Sequence, residues 1–300
     1  MKSFSGMVKE ELCLTDNEFD CCNMAEYMGM ILFGALISEK SVRFQTGNSD
    51  VLNKYISLGK DFGLETVSRK TGGGAAARYS AELSDSDKIR WILDCLKLLD
   101  PSIGVIRYRI FRGIIKSDCC RRAFVKGAFL SGGTVINPNK NYKLEFVTPY
   151  LGLSRDMADL LRECGFEFKS TVRKSKYVLY IRNSEAISDF LAFMEAFKSQ
   201  MSLLNIKIEK EIHNDFNRSV NIETANLEKT IEASVKQVYA ITKLDKTVGI
   251  KNLPDDLRET ALLRLEHKEL SLSELGMLMN PPMTKSGINR RMKKLIDMAQ

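Results

Sequence analysis

The chain is poor in the residues that most often carry catalysis or hold metal near neutral pH. Only two histidines occur in 300 residues, His213 and His267, and neither sits in a motif with partners. Histidine is the usual general base and the commonest metal ligand, so its scarcity argues against either chemistry here. Cysteine occurs seven times, an odd number, and no Cys-x-x-Cys is present. Four of the seven form two adjacent pairs, Cys21-Cys22 and Cys119-Cys120. Neighbours on a helix point about 100° apart. Neither pair therefore chelates by itself, and the cysteines read as small apolar residues of a reducing compartment. No metal, no cofactor and no catalytic residue is expected. The longest apolar run, Met28 to Ile37, is far short of the roughly 20 residues that cross a bilayer. The stretch from Met1 to Asp20 is charged throughout, unlike a signal peptide. These absences point to a cytoplasmic protein with no membrane partner.

What is present fits a large globular chain. Three hundred residues suit two domains, and a hydrophobic content of 44% is ample for a core. Forty-five Lys and Arg against 38 Asp and Glu give a formal charge of +7. That mild excess is compatible with nucleic acid but does not by itself demand it.

The sequence is internally repeated. Asp20/Asp118, Cys21/Cys119, Cys22/Cys120, Ala25/Ala123, Gly29/Gly127, Leu32/Leu130 and Gly34/Gly132 match at a constant offset of 98. After a short insertion Phe44/Phe146, Thr46/Thr148, Gly63/Gly165 and Glu65/Glu167 match at an offset of 102. A period near 100 marks a duplicated domain half rather than a solenoid unit. In each half an Asp N-cap opens a helix rich in small residues. A β-hairpin follows, Val42 to Thr46 in the first half and Lys143 to Thr148 in the second. Then comes an amphipathic helix, Asp50 to Phe62 or Ser154 to Cys164, stopped by Gly63 or Gly165. Further strands such as Tyr177 to Ile181 precede a closing helix, Asp85 to Leu99 or Ser184 to Phe197. The scheme is αββαββα twice, an α+β pseudodimer. Interior helical glycine costs about 1 kcal/mol relative to Ala. Finding Gly29 and Gly34 matched by Gly127 and Gly132 therefore predicts close approach of the two central helices.

Two such helices in an αββαββα pseudodimer resemble the LAGLIDADG homing-endonuclease fold, and Val125-Lys-Gly-Ala-Phe-Leu-Ser-Gly-Gly133 resembles its signature. In those nucleases an acidic residue near the end of each helix binds the metal that activates water. Here the matching positions are Gly34 and Gly132, with no carboxylate beside either. Hydrolysis of that kind needs hard oxygen ligands. The scaffold is expected without its cutting chemistry.

After Gln200 strand signals cease. Ile206 to Arg218 is polar and reads as a linker or connecting helix. Asn221 to Lys243 reads as a long helix with Leu227, Ile231, Ala233 and Val238 inward. Pro254 opens a helix patterned Leu257, Ala261, Leu262, Leu265. Ser271-Leu-Ser-Glu274 is a capping box for a short helix with Leu272, Leu275 and Leu278 on one side. Asn280-Pro-Pro-Met283 breaks it. Thr284 then caps a helix with Ile288, Met292 and Leu295 at i, i+4 and i+7. Short helix, compact turn and second helix make a helix-turn-helix. At 100° per residue, Ser286, Arg290, Lys293 and Lys294 lie opposite the buried stripe, flanked by Lys285, Asn289 and Arg291. Five basic residues face a single acid, Asp297, between Thr284 and Ala299. Arg and Asn suit base edges and Lys and Ser suit phosphates. The expected DNA-binding set is Thr284, Lys285, Ser286, Asn289, Arg290, Arg291, Lys293 and Lys294. A second basic run, Arg107, Arg109, Arg112, Lys116, Arg121 and Arg122, reads equally as a DNA surface or as solvated ends of strand and helix.

The whole chain resembles the WhiA family of Gram-positive bacteria. The resemblance rests on Ser3-Phe4-Ser5 with Val8-Lys9-Glu10-Glu11-Leu12, on Cys119-Cys-Arg-Arg-Ala-Phe124 with Gly127-Ala-Phe-Leu130, on Glu223-Thr-Ala-Asn-Leu227, on Leu263-Arg-Leu-Glu-His267, and on Pro281-Pro282 with Lys285-Ser-Gly287. One departure is Asn23-Met24, where the family usually has Arg-Arg, so no basic role is carried over to the first central helix. The resemblance implies a degenerate homing-endonuclease domain joined to a helix-turn-helix. It also implies a regulator of transcription, linked to sporulation, cell division or chromosome segregation. Double-stranded DNA is the expected partner, another transcription regulator protein a further one, and the nucleoid the expected location. The expected layout is a duplicated domain over 1–205 with halves about 15–100 and 113–200, a linker over 206–220, and a helical domain over 221–300 carrying the helix-turn-helix at 271–299. The stretch Asn217 to Thr230 could link the domains, line a DNA path or cap a helix locally, with local capping and interdomain contact expected ahead of DNA contact. The competing readings are an active endonuclease and a protein-interaction scaffold.

Overall fold

The repeat folds as two copies of one αββαββα unit in the computed structural model, which describes residues 3–73, 77–100 and 104–299. A leading helix α1 (Phe4–Cys13) precedes the first copy: α2 (Asp20–Gly34), β1 (Ala35–Ile37), β2 (Val42–Thr46), α3 (Ser49–Asp61), β3 (Val67–Thr71), β4 (Arg78–Leu83) and α4 (Ser86–Leu96). A two-stranded pair, β5 (Leu99–Asp100) and β6 (Val105–Ile106), leads to the second copy. That copy is α5 (Asp118–Gly132), β7 (Gly133–Val135), β8 (Leu144–Thr148), α6 (Leu151–Glu163), β9 (Lys169–Arg173), β10 (Lys176–Ile181) and α7 (Ser184–Phe193). The two four-stranded sheets have the same order, β1-β2-β4-β3 and β7-β8-β10-β9, and every pairing is antiparallel. The repeat is visible down to register: Phe44 pairs with Ala81, and its counterpart Phe146 pairs with Leu179.

Several helix ends differ from expectation. Asp20 and Asp118 are not N-caps but first-turn residues, after Phe19 and Ser117. Their carboxylates act on the helix dipole rather than by capping hydrogen bonds. Gly63 and Gly165 do follow α3 and α6 in the left-handed region, at φ +68° and +90°. Leu99 belongs to β5 rather than α4, and Phe197 opens the next helix rather than closing α7. Helix α1 has no counterpart in the expected scheme. Its Phe4, Val8 and Leu12 recur at i, i+4 and i+8 and are all buried.

The central helices α2 and α5 pack backbone to backbone. A Cβ on Gly29 would overlap the carbonyl oxygen of Phe124, and one on Gly127 would overlap that of Glu26. The second glycine pair behaves differently. A Cβ on Gly34 would meet its own half's Phe44 as well as Ser131 Cβ at 2.8 Å, and one on Gly132 would meet Phe33 at 3.0 Å and Val147 O at 3.2 Å. Gly29 and Gly127 thus let the helices meet, whereas Gly34 and Gly132 also make room for their own sheets. The two Cys-Cys pairs come together where these helices begin. Cys22 and Cys120 are buried and Cys119 is half-buried, but Cys21 is exposed, which does not suit a small core residue.

By contacts the chain divides between Glu209 and Lys210. Residues 206–220, read as a linker, lie inside one helix, α8 (Phe197–Thr247). The segment 217–230 is therefore helix interior and caps nothing; all but Thr230 of it is exposed. Leu227, Ile231 and Ala233 are exposed too, and the buried residues in the last part of this helix are instead Ser234, Gln237, Ala240, Ile241 and Leu244. In the helical unit α8 is followed by α9 (Asp255–Glu266), α10 (Leu272–Leu278) and α11 (Lys285–Met298). Pro254 precedes α9 at the N-cap. Its inward face is Leu257, Thr260, Ala261 and Arg264, while Leu262 is 51% exposed. Ile241, Leu244, Ile250, Leu253, Leu257, Ala261, Met279, Ile288, Met292 and Leu295 form one core.

Candidate nucleic-acid interface

The short helix α10 is fixed at its start by its own sequence. Ser271 N–H donates to Glu274 Oε2 at 2.8 Å, and Glu274 N–H donates back to Ser271 Oγ at 3.3 Å, closing the capping box. The Ser271 backbone N–H holds the Glu274 carboxyl below the usual carboxylate range. Burial on α10 is not the expected leucine stripe. Leu275, Gly276 and Met279 face inward, and Leu278 is 48% exposed. The reason is a close approach: a Cβ on Gly276 would overlap the carbonyl oxygen of Met283, and Met283 N–H donates to Gly276 O at 2.8 Å. The proline turn therefore folds back onto α10 at a position where only glycine fits.

Helix α11 follows from Thr284, whose hydroxyl accepts from Gly287 N–H at 3.3 Å and lies 2.9 Å from Ser286 Oγ. Ile288, Met292 and Leu295 are fully buried, as their spacing requires. Thr284, Lys285, Ser286, Asn289, Arg290, Lys293 and Lys294 are all exposed. Leu272, Thr284, Lys285, Ser286 and Asn289 line an open groove between the starts of α10 and α11. Arg291 is placed differently from the rest of the expected set. It is half-buried, its Nη1 lies 3.4 Å from Thr260 Oγ1 and its Nε 3.7 Å from Asp256 Oδ2, so it reaches back to α9.

One functional support escaped the sequence reading. Arg264 is 1% exposed, and its Nη1 donates to Leu270 O at 2.6 Å and His267 O at 3.2 Å. A guanidinium can satisfy several carbonyls from one fixed plane. Here it holds the loop that delivers Ser271 to α10. Burial lowers its pKa. The available signal was its place one turn after Ala261 on the inward face of α9.

The basic run of the duplicated domain is largely compensated. Arg109 makes a two-pronged bond to Asp156 at 2.6 and 2.7 Å. Arg107 pairs with Asp100 at 3.2 Å, Arg112 with Glu163 at 2.7 Å, Arg121 with Asp118 at 3.1 Å and Arg122 with Glu195 at 2.9 Å. Paired arginines have less to offer a phosphate, which favours the solvated-ends reading. Around Gly34 and Gly132 the nearest groups are Phe44, Ser131, Phe33 and Val147, none of them a carboxylate.

Comparison with known proteins agrees with both halves of the architecture. Residues 121–213 match the family described as WhiA LAGLIDADG-like domain, and residues 216–299 match the WhiA C-terminal HTH domain. The chain is 35% identical over 309 residues to the "Probable cell division protein WhiA" of Alkaliphilus metalliredigens, covering 99% of this chain and 97% of that one. It is 37% identical over 313 residues to the protein of the same name from Lachnospira eligens, covering 98% and 95%. The fold matches the crystal structure of full-length WhiA from Thermatoga maritima with a TM-score of 0.61 at 24% identity, over 99% of this chain and 98% of that one. No helix among the described residues is long and apolar enough to cross a membrane. With near end-to-end identity above 30%, the chain belongs to the WhiA family.

Proposed function

We propose that this protein is a sequence-dependent regulator that binds double-stranded DNA through α11 and does not cut it. The observation that carries the reading is the exposed face of α11, where Lys285, Asn289, Arg290, Lys293 and Lys294 stand together on a helix whose opposite side is locked into a core. Asn289 and Arg290 are suited to base edges, and Lys285, Ser286, Lys293 and Lys294 to phosphates. Arg291 and Thr284 support this face instead of reading DNA: one ties α11 to α9, the other caps it. Loss of cutting is supported by glycine at the ends of both central helices, where oxygen ligands would be required. The names of the relatives support a role in cell division. By extension we place the protein in the cytoplasm on the nucleoid, regulating genes of division, chromosome segregation or sporulation, with a second transcription regulator as a protein partner. The layout that goes with this reading is a duplicated domain joined through α8 to the helix-turn-helix unit.

The test uses the full chain. Random duplexes are selected on the protein, and affinity for the selected sequence is compared with scrambled DNA. The same duplex is then incubated with protein and Mg²⁺. Sequence preference lost in R290A, with no cleavage, is expected. Equal affinity for all duplexes, or Mg²⁺-dependent cutting, overturns the proposal.

A further inference from the structure

Helices α2 and α5 open with the same three residues, Asp-Cys-Cys, at 20–22 and 118–120. One adjacent pair supplies only two of the four sulfurs that close a structural site. Two pairs brought face to face supply all four. The backbone contact at Gly29 and Gly127 lies two turns further along the same helices, and it holds their first turns together. As a result the four Sγ atoms all lie within 4.8 Å of one another. Among the described residues this is the one group of three or more His, Cys, Asp or Glu side chains so arranged. All four thiols are free.

The donor set and its spacing select the occupant. Four sulfurs and no oxygen exclude Mg²⁺ and Ca²⁺, which take hard ligands. A tetrahedral Zn²⁺ with Zn–S near 2.3 Å holds its sulfurs about 3.8 Å apart, so the cluster needs to contract by about 1 Å or less. An iron–sulfur cube would hold its cysteines further apart than a single ion does. Burial raises the pKa of the Cys22 and Cys120 thiols, so the charge that deprotonates the sulfur ligands is supplied by the Zn²⁺ itself. Ser117 Oγ, 3.1 Å from Cys119 Sγ, supplies a second-layer hydrogen bond.

We propose that Cys21, Cys22, Cys119 and Cys120 bind one Zn²⁺ in a structural tetrathiolate site that staples the two halves of the duplicated domain at the start of their central helices. Binding releases the thiol protons to solvent and involves no redox change. The ion ties residues nearly 100 positions apart in sequence, a long loop to close in the unfolded chain.

The full chain, purified under reducing conditions, is expected to carry about one zinc per molecule by elemental analysis. The double variant C22S/C119S loses it, whereas C95S, whose thiol lies outside the cluster, keeps it. Because the double variant can fail to fold, the unmodified protein is also stripped with a chelator under reducing conditions and titrated with Co²⁺. Sulfur-to-cobalt charge-transfer absorption and tetrahedral d–d bands, saturating near one equivalent and displaced by Zn²⁺, are expected. Stripped protein is expected to melt about 5 °C or more below the zinc form. A protein that binds neither ion while all four thiols react freely with a disulfide reagent overturns the proposal. So does protein alkylated before lysis that shows disulfides joining Cys21 or Cys22 to Cys119 or Cys120.

Discussion

Lys126 Nζ lies 3.1 Å from Glu26 Oε2, with both side chains sealed inside the contact between α2 and α5. The pair breaks the repeat, since Glu26 corresponds to Phe124 and Lys126 to Met28. Asn17 completes it, donating to Glu26 Oε2 at 2.6 Å and accepting from Lys126 Nζ at 3.0 Å. Glu26 Oε1 is buried without a hydrogen-bond partner among the described residues.

A buried pair of this kind is costly to break but not to replace. Removing one partner strands a charge, a loss of about 3–5 kcal/mol, while replacing both with apolar residues of similar volume is near neutral. K126M alone and E26Q alone are expected to destabilise the duplicated domain strongly, and K126M combined with E26L to recover most of the loss. Urea unfolding followed by the fluorescence of the single tryptophan, Trp91, measures all three. A double variant as unstable as the singles overturns this account.

G127A separates local propensity from packing. Propensity alone makes Gly to Ala in a helix stabilising by about 1 kcal/mol. The added Cβ, however, would overlap the carbonyl of Glu26, which belongs to backbone and cannot swing away. The variant is expected to lose about 2 kcal/mol or more. The same unfolding experiment gives the sign, and a stabilised G127A would mean that the helices do not touch there.

How much of this was legible in the sequence depends on where each contact comes from. The strands and the helix-turn-helix rest on local signals such as Ser271 with Glu274, the Pro281-Pro282 break, and Ile288, Met292 and Leu295. Those signals act within a turn or two of chain. The central approach of Gly29 and Gly127 was legible because duplication made both halves report it. Pairing across elements was not. Arg264 occupies an apolar face with its charge satisfied by carbonyls that carry no sequence code. The cysteine cluster needed two helix starts brought together. Along α8, Leu227 and Ile231 look like core residues and are exposed, because the inward face there is set by neighbours that the chain reaches only later.

Arg264 gives a test in the helical unit. R264M keeps the stem volume but leaves the carbonyls of His267 and Leu270 without their donor. A loss of about 2 kcal/mol or more is expected, with fraying of α10 from its capped end. Hydrogen exchange on the full chain should show Leu275 and Gly276 amides losing protection before those of Met292 and Leu295. Uniform loss across the unit, or none, contradicts the role given to Arg264.

The exposed face of α11 predicts a graded response to salt. Each phosphate contact releases condensed counterion, so the slope of log affinity against log salt falls by about one per lysine removed. K293A and K294A are each expected to weaken binding to selected and scrambled duplexes alike and to flatten that slope by about one. R290A is expected to cost about 1–3 kcal/mol on the selected duplex and far less on scrambled DNA, because a lost base contact carries sequence information. R291A should sit apart from all three. Its guanidinium is turned toward Thr260 and Asp256, so its removal is expected to leave the salt slope unchanged and act through the seating of α11 on α9. Fluorescence anisotropy across a salt series distinguishes these four variants, and an R291A slope as flat as that of K293A would place Arg291 on the phosphates instead.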